Sequence, residues 1–234
     1  MIDGLDGSGK STVVNAWKDY FTTDSNAIFD LTKYWQENHA YPTFQELRSY
    51  NIIFSCEPTR TGIGQIIREE LINKNNNYPA EALAHAYSLD RLILYTKIII
   101  PALTQNKLII QDRGISSSLI YQTTPDTGLT YDQVTNLPGN QLALKYRPDI
   151  LVLVEATPEI CAERLAKRLD KADNAIFERI ETLHQNAEQF KKPEYQKIFT
   201  DHGTRIEHLN GDENIDIMKT KATVLLKNII QGVK

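Results

Sequence analysis

The 234-residue sequence contains only two cysteines, Cys56 and Cys161, which lie far apart and in no CxxC spacing. This scarcity argues against a disulfide framework and favours a reducing compartment, so we expect a cytoplasmic protein. Basic residues are not in excess either, because 26 Lys and Arg face 30 Asp and Glu and give a formal net charge of −4. A protein that coats nucleic acid needs the opposite balance, so we expect no nucleic-acid partner.

Long uninterrupted apolar runs are also missing. The longest apolar stretch, residues 92–103, contains Lys97 and Pro101 and is too short and too broken to cross a bilayer. The five histidines form no HExxH or comparable set of metal ligands. What remains is a chain of ordinary globular composition, without a membrane partner and long enough to bury a sizeable core.

The most informative segment is GLDGSGKST at residues 4–12, a complete GxxxxGK[ST] phosphate-binding loop. Its glycines let the backbone approach a polyphosphate, and the helix that begins near Lys10 directs the positive end of its dipole towards it. Lys10 is expected to reach the β- and γ-phosphates of a nucleotide, and the Ser11 hydroxyl to ligate Mg²⁺. The other predicted phosphate-binding residues of the loop are Gly4, Asp6, Gly7, Ser8, Gly9 and Thr12.

The strand that should precede this loop is very short in the sequence. A phosphate-binding loop normally follows a buried strand, but only Met1, Ile2 and Asp3 come before Gly4. Removing apolar residues from the middle of a sheet costs roughly 1.5–3 kcal/mol for each side chain. We therefore expect the native protein to carry an apolar strand upstream of Met1.

Four apolar segments have the length of β-strands: residues 51–56, 107–111, 149–155 and 205–209. Helical patterns separate them, including residues 11–20, a long helix after Pro79 and another over residues 178–199. This alternation predicts an α/β fold of the P-loop NTPase type, with a mostly parallel sheet flanked by helices. No linker or repeat interrupts the pattern, so residues 1–234 are predicted to form a single domain.

Asp112 and Arg113 directly follow the strand at residues 107–111. A carboxylate in this place is the expected partner of a phosphate-binding loop, because it can hold Mg²⁺ directly or through water. Ligands bind at the carboxyl ends of parallel strands, where the loop, the polar turn at residues 57–64 and this pair all lie. Their convergence predicts phosphoryl transfer to or from a nucleotide and leaves the acceptor open.

A set of motifs then resembles the thymidylate kinase family, whose members pass the γ-phosphate of ATP to dTMP. The motifs are GLDGSGKST, EPTRTGIG, YSLDR, DRGISSSLIYQ and PDILVLVEATPE followed by a basic helix, and they extend from Gly4 to about Tyr195. The resemblance implies ATP and dTMP as substrates, Mg²⁺ as cofactor and a homodimer formed through residues 83–103. It also implies a helical lid over ATP at about residues 164–178. Residues 27–49 are longer than the corresponding segment of the family and are therefore interpreted as an insertion.

The resemblance further implies how the acceptor is bound. Asp6 would approach the sugar 3′-hydroxyl, and Tyr87 would stack on thymine. Arg91 would donate a hydrogen bond to the O4 carbonyl, where cytosine also presents a donor. Ser118 would contact the base edge, and Tyr121 would crowd the 2′ position of the sugar and disfavour ribonucleotides.

The catalytic residues implied by the resemblance carry charge. Arg113 would grip the acceptor phosphate, Asp112 would lie beside Mg²⁺, and Lys10 would contact the transferred phosphoryl group. The lid residues Arg164 and Arg168 would bring further cations to that group when the lid closes. Such cations can raise the rate 10³-fold or more.

The turn after the first predicted strand departs from the family pattern. Glu57 and Arg60 are its predicted acceptor contacts, with Arg60 preferred over Thr59 for a phosphate. Cys56 stands where many relatives have an arginine, and Gly114 replaces a larger residue. These differences keep two alternatives open: a P-loop kinase for another deoxynucleotide or a nucleoside, and a non-catalytic nucleotide-binding module.

Overall fold

The computed structural model of the chain describes residues 1–23, 27–73, 76–167 and 179–232. Six strands lie within these residues: β1 (Ile2–Gly4), β2 (Ile28–Asp30), β3 (Ile52–Cys56), β4 (Leu108–Asp112), β5 (Ile150–Glu155) and β6 (Arg205–Asn210). They form one sheet in the order β2-β3-β4-β1-β5-β6, and every pairing is parallel. The predicted α/β fold of the P-loop NTPase type is confirmed.

Helices connect the strands and lie on both faces of the sheet. They are α1 (Lys10–Thr23), α2 (Leu31–Asn38), α3 (Phe44–Leu47), α4 (Gly62–Ile66), α5 (Ala80–Leu94), α6 (Ile100–Leu103), α7 (Ile115–Tyr121), α8 (Tyr131–Thr135), α9 (Pro138–Lys145), α10 (Pro158–Ala166), α11 (Ile180–Lys191), α12 (Pro193–Thr200) and α13 (Ile215–Gly232). A π-helical turn, Ile67–Leu71, continues α4, and another, Tyr95–Ile99, joins α5 to α6. Within the described ranges, no helix is both long and apolar enough to cross a membrane.

Two apolar cores cover the two faces of the sheet. Alternate residues of β3 divide between them, since Ile52 and Phe54 belong to one core and Ile53 to the other. The first core is completed by α1 and α13, through residues such as Trp17 and Leu226. The second contains residues from α2, α5, α7 and α11.

The short strand β1 occupies the centre of the sheet, between β4 and β5. Ile2 is fully buried, and its carbonyl accepts a hydrogen bond of 2.8 Å from the Arg113 N–H. The loop therefore starts from a paired backbone although few residues precede it. The expectation of further strand residues upstream of Met1 concerns sequence beyond this chain and stays a prediction.

The observed helices differ from the predicted ones in two places. Residues 27–49 contain α2, which the sequence did not predict; Asp30 caps it, and Leu31 and Trp35 bury its inner face. The single helix predicted over residues 178–199 is two helices, α11 and α12. They are separated at Lys192, because the residue before Pro193 is disfavoured in helical conformation and adopts an extended one.

Candidate active site

A cleft of about 1480 Å³ opens at the carboxyl ends of β1, β3 and β4. Typical small-molecule sites measure about 300–1,000 Å³, so this cleft has room for two nucleotides. The predicted residues that line it are Asp6, Gly7, Gly9, Lys10, Ser11, Glu57, Arg60, Tyr87, Arg91, Asp112, Arg113, Ser118 and Tyr121. Those that do not are Gly4, Ser8, Thr12 and Arg164.

The backbone of the phosphate-binding loop requires glycine at two of its positions. Gly7 has a φ of 84°, and a Cβ there would lie 2.5 Å from the carbonyl oxygen of Cys161. Gly9 has a φ of 106°, and a Cβ there would lie 2.6 Å from the Met218 methyl group. L side chains rarely adopt such angles, so the loop can keep this shape only with glycine at both positions.

Lys10, the first residue of α1, lies almost entirely inside the loop, with 7% of its surface exposed. Its ammonium donates hydrogen bonds to the carbonyls of Gly4, at 3.0 Å, and Leu5, at 2.6 Å. Burial lowers the pKa of Lys10 to about 8, and the charge of Arg113 acts in the same direction. The ammonium is therefore held at the loop, but its charge is less stable than that of an exposed lysine.

We expect the affinity for ATP to fall as the pH rises through about 8, because the free protein then loses the Lys10 proton that a bound triphosphate stabilises. Below this pH Lys10 is already charged, and binding takes up no proton there. Calorimetry at about pH 8.5 in two buffers of different ionisation enthalpy should show proton uptake on ATP binding. Lys10→Met is the control, and equal uptake by that variant would contradict the expectation.

Arg113 lies between two aspartates at the mouth of the loop. Its φ of 64° is in the left-handed region, which is uncommon for arginine and is held here by the backbone hydrogen bond to Ile2. The guanidinium contacts Asp6 at 2.5 Å and Asp3 at 3.3 Å, and it donates to the Ser117 hydroxyl at 2.9 Å. These contacts fix a cation beside the phosphate-binding loop.

Asp3 is a positioning residue that the sequence analysis missed. It is fully buried in β1, where it accepts hydrogen bonds from the Gly4 N–H at 2.8 Å and from the Ser117 hydroxyl at 2.8 and 2.9 Å, in addition to its ion pair with Arg113. The only signal in the sequence was a charged residue within a short buried strand. Its carboxylate links the strand before the loop to the residues after β4.

Asp112 ends β4, and one of its carboxylate oxygens, Oδ1, is buried without a hydrogen-bond partner among the described residues. Buried polar atoms of this kind are rare and require an explanation. Ser11 lines the same cleft and is exposed. Carboxylate and hydroxyl oxygens are ligands of Mg²⁺, which usually takes only one or two protein carboxylates and completes its shell with water and phosphate. The residues present therefore fit this ion.

Arg91 also lines the cleft, and 1% of its surface is exposed. Its guanidinium forms an ion pair with Glu57 at 2.7 Å and donates to the Ser118 hydroxyl at 3.0 Å and to the Asn140 amide oxygen. Asn140 is fully buried, and no pattern in the sequence indicates its role. The orientation of Arg91 is thus set by three side chains from three different elements.

Glu57 is a predicted acceptor contact, but its two carboxylate oxygens have partners within the protein. One accepts a hydrogen bond from Arg91 and the other from the Gln111 amide, both at 2.7 Å. Burial raises the pKa of Glu57 to about 7, although the neighbouring Arg91 favours the charged form. The structure therefore gives Glu57 a role in orienting Arg91. A direct contact with the acceptor stays a prediction.

Replacing Glu57 by glutamine is expected to remove a fall in the free energy of unfolding that the wild type shows as the pH rises, because burial raises the pKa of Glu57 from 4.5 to about 7 and the folded protein then holds a proton that the unfolded chain has lost. Urea unfolding at about pH 5 and at about pH 8 measures this fall. Glu37→Gln is a matched control that keeps the wild-type pH dependence, since Glu37 is exposed and forms a 3.9 Å surface pair with Lys33. The same pH dependence for Glu57→Gln and the wild type would contradict the account.

The polar turn after β3 is held on two sides. Asp90 of α5 accepts hydrogen bonds from the Thr59 N–H at 2.7 Å and the Thr59 hydroxyl at 2.6 Å. Arg68, which the sequence analysis also missed, donates to the Pro58 carbonyl at 3.0 Å and lines the cleft. Arg60 lines the cleft with a buried Nε that has no partner among the residues described. Its predicted phosphate contact stays a prediction.

Tyr87 lines the cleft on the side of α5, and burial raises its pKa to about 12, so it stays neutral at physiological pH. Tyr121 of α7 lies with its ring 5.3 Å from the Arg113 guanidinium carbon, a cation–π contact. Both aromatic rings therefore line the cleft. Their contacts with the acceptor stay predictions.

Arg164 contacts the backbone of the phosphate-binding loop. Its guanidinium donates to the carbonyls of Gly211 at 2.7 Å and of Gly7 and Ser8 at 3.4 Å. This places it on the backbone of the loop, and its predicted contact with the transferred phosphoryl group stays a prediction. Arg168 and most of the predicted lid, residues 168–178, lie outside the described residues.

Three features together define a class of protein. They are the phosphate-binding loop after the central strand β1, the Asp112-Arg113 pair at the end of the neighbouring strand β4, and a cleft with room for two nucleotides. That class is the P-loop nucleoside monophosphate kinases, ATP-dependent enzymes that transfer a phosphoryl group between two bound nucleotides.

The chain belongs to the thymidylate kinase family, whose family model matches residues 36–220. It is 27% identical to the thymidylate kinase of Helicobacter pylori (strain P12) over 98% of both chains. It is 29% identical to that of Aster yellows witches'-broom phytoplasma (strain AYWB), over 82% of this chain and 91% of the relative. The thymidylate kinase of Clostridium novyi (strain NT) is 26% identical over 92% of this chain and 91% of the relative.

Proposed function

We propose that this protein transfers the γ-phosphate of ATP to dTMP, giving dTDP and ADP. Membership of the thymidylate kinase family supports this reaction. The observation that carries it is the position of Arg113, which contacts Asp6 of the phosphate-binding loop and is fixed by Asp3. One cation thus stands between the donor half and the acceptor half of a single cleft.

In the donor half, ATP lies along the phosphate-binding loop with Lys10 at its β- and γ-phosphates. Ser11 and Asp112 would hold Mg²⁺, and the unpartnered oxygen of Asp112 supports this assignment. When bound, the ion neutralises charge on the phosphate oxygens. Arg164 keeps the loop backbone in place, and the lid supplies further cations.

In the acceptor half, Arg91 faces the pyrimidine with a guanidinium whose orientation is fixed by Glu57 and Asn140. A fixed donor matches the O4 carbonyl of thymine and leaves the amino group of cytosine facing another donor, which costs affinity. Tyr87 stacks on the base, and Arg113 binds the phosphate that receives the phosphoryl group.

The chemistry asks little of the protein beyond positioning. The acceptor phosphate oxygen is already a nucleophile, so the protein aligns it with the γ-phosphate and places cations where charge develops. Lys10 and Arg113 supply this positive charge, and their position in the lining of the same cleft supports this role. Closure over the substrates excludes the water that otherwise hydrolyses ATP.

Chromatography of a reaction with ATP, Mg²⁺ and dTMP tests this proposal. ADP and dTDP should form in equal amounts, and neither should form when dTMP is omitted. Formation of ADP without dTDP would identify an ATPase and contradict the proposal.

We also propose that the chain forms one domain with a lid at about residues 164–178. The protein lies in the cytoplasm and forms a homodimer. The apolar surface of residues 83–103 supports the dimer, because Leu89 and Leu103 are exposed there. The scarcity of cysteine supports the location. Light scattering after gel filtration measures the mass, and a monomer at micromolar concentration contradicts the dimer.

A further inference from the structure

Asn186 of α11 is fully buried, yet neither its amide nitrogen nor its amide oxygen has a hydrogen-bond partner among the described residues. Nearly all buried polar side-chain atoms in native proteins have a partner, so an amide with none requires an explanation. Asn186 also lines the large cleft. The missing partner can therefore be a molecule bound in that cleft.

The position of Asn186 on its helix does not call for a polar residue. Leu183, Asn186 and Phe190 recur at intervals of three and four residues and form the inner stripe of α11. Leu183 and Phe190 both belong to the apolar core. An apolar residue at 186 would suit this stripe better, so packing alone does not account for the asparagine.

The helix α11 packs against α7, which carries Ser118 of the proposed acceptor site. Gln189, one turn after Asn186, donates to the Thr123 carbonyl just beyond α7, at 3.4 Å. Gln122, which ends α7, is also buried and lines the cleft, and its amide oxygen has no partner within the described part of the chain. Two carboxamides from neighbouring elements thus line the cleft with unused hydrogen-bonding atoms, beside the helix that carries Ser118.

We propose that Asn186 is a further acceptor-binding residue, whose carboxamide forms hydrogen bonds with a neutral polar group of the nucleotide acceptor. This inference rests on the proposed function and extends its acceptor site. A carboxamide carries no charge and offers both a donor and an acceptor, which suits a hydroxyl or a carbonyl group. The acceptor phosphate has its own partner in Arg113.

The decisive variant is Asn186→Leu, which keeps the side-chain size and removes the polar atoms. If Asn186 binds the acceptor, Asn186→Leu raises the Kd and KM for dTMP about tenfold and leaves the KM for ATP unchanged. Its melting temperature without ligand equals or exceeds that of the wild type, because no buried polar atom is left unpartnered. Asn228→Leu, an exposed change on α13, is the matched control and leaves all of these values unchanged.

A smaller variant, Asn186→Ala, covers the case in which leucine disturbs the packing of α11. Wild-type affinity for dTMP in either folded variant overturns the inference, and so does an equal rise in the KM for ATP. Calorimetric titration with dTMP separates this inference from the proposed function, since it needs no turnover. Wild-type protein that binds dTMP without phosphorylating it contradicts the proposed function alone, whereas wild-type protein that does not bind dTMP overturns both.

Discussion

Replacing Lys10 with methionine is expected to lower the rate of dTDP formation at least a hundredfold. In the structure its ammonium donates hydrogen bonds to two carbonyls of the phosphate-binding loop, beside the proposed site of the β- and γ-phosphates. Removing one preorganised donor from the site of charge development typically costs 10²–10³ in turnover. Methionine fills a similar volume, so the fold should be preserved.

Two measurements make this result specific to the charge. The melting temperature of Lys10→Met should not fall, because a buried ammonium with a lowered pKa contributes no stability through its charge. Lys33→Met is the control, since Lys33 is exposed and makes only a weak surface pair with Glu37. Near-normal turnover by Lys10→Met would show that phosphoryl transfer does not need the lysine of the phosphate-binding loop, and it would contradict the proposed mechanism.

Replacing Arg113 with alanine is expected to lower turnover by a similar factor, at least about a hundredfold. Its guanidinium contacts Asp3, Asp6 and Ser117 together, a task that needs several donors in a fixed plane. The lysine ammonium is a compact charge without this planar set of donors, so Arg113→Lys should restore only a small part of the rate that Arg113→Ala loses. Steady-state kinetics with varied dTMP should place the loss in both kcat and KM.

A second readout comes from Lys10. The charge of Arg113 lowers the pKa of Lys10, so Arg113→Ala should move that pKa upwards and shift the pH at which ATP affinity falls. Arg205→Ala is the matched control, because Arg205 is an exposed residue of β6 that pairs with Glu207, away from the cleft-lining residues. Normal dTMP phosphorylation by Arg113→Ala would refute the assignment of the acceptor phosphate site.

The sequence predicted best what depends on local pattern. Apolar runs predicted β3, β4 and β5 within one residue of their observed ends, because buried parallel strands are continuous apolar segments. The position of the phosphate-binding loop could be predicted, since its motif is contiguous and the backbone requires glycine at Gly7 and Gly9. The helix α2 was missed because its inner face consists of only Leu31 and Trp35 within a polar segment.

The parts of the site that escaped prediction depend on contacts between distant residues. Asn140 meets Arg91 across 49 positions of the chain, and Asp3 meets Arg113 across 110. No local pattern marks such a partner, because one buried amide or carboxylate looks like any other polar residue in the sequence. Asn186 is of the same kind, since it lies on an apolar stripe and only its surroundings show that it lacks a partner.

The measurement that tests the account most directly is a coupled assay of ADP formation with ATP and a panel of acceptors: dTMP, dUMP, dCMP, dGMP and thymidine. The account predicts the highest kcat/KM with dTMP, and the lowest values with dGMP and with thymidine, which has no phosphate for Arg113 to bind. On the proposed role of Arg91, dCMP should be a poor substrate, because its amino group would face another donor. Preference for another acceptor, or no transfer to any of them, would contradict the account.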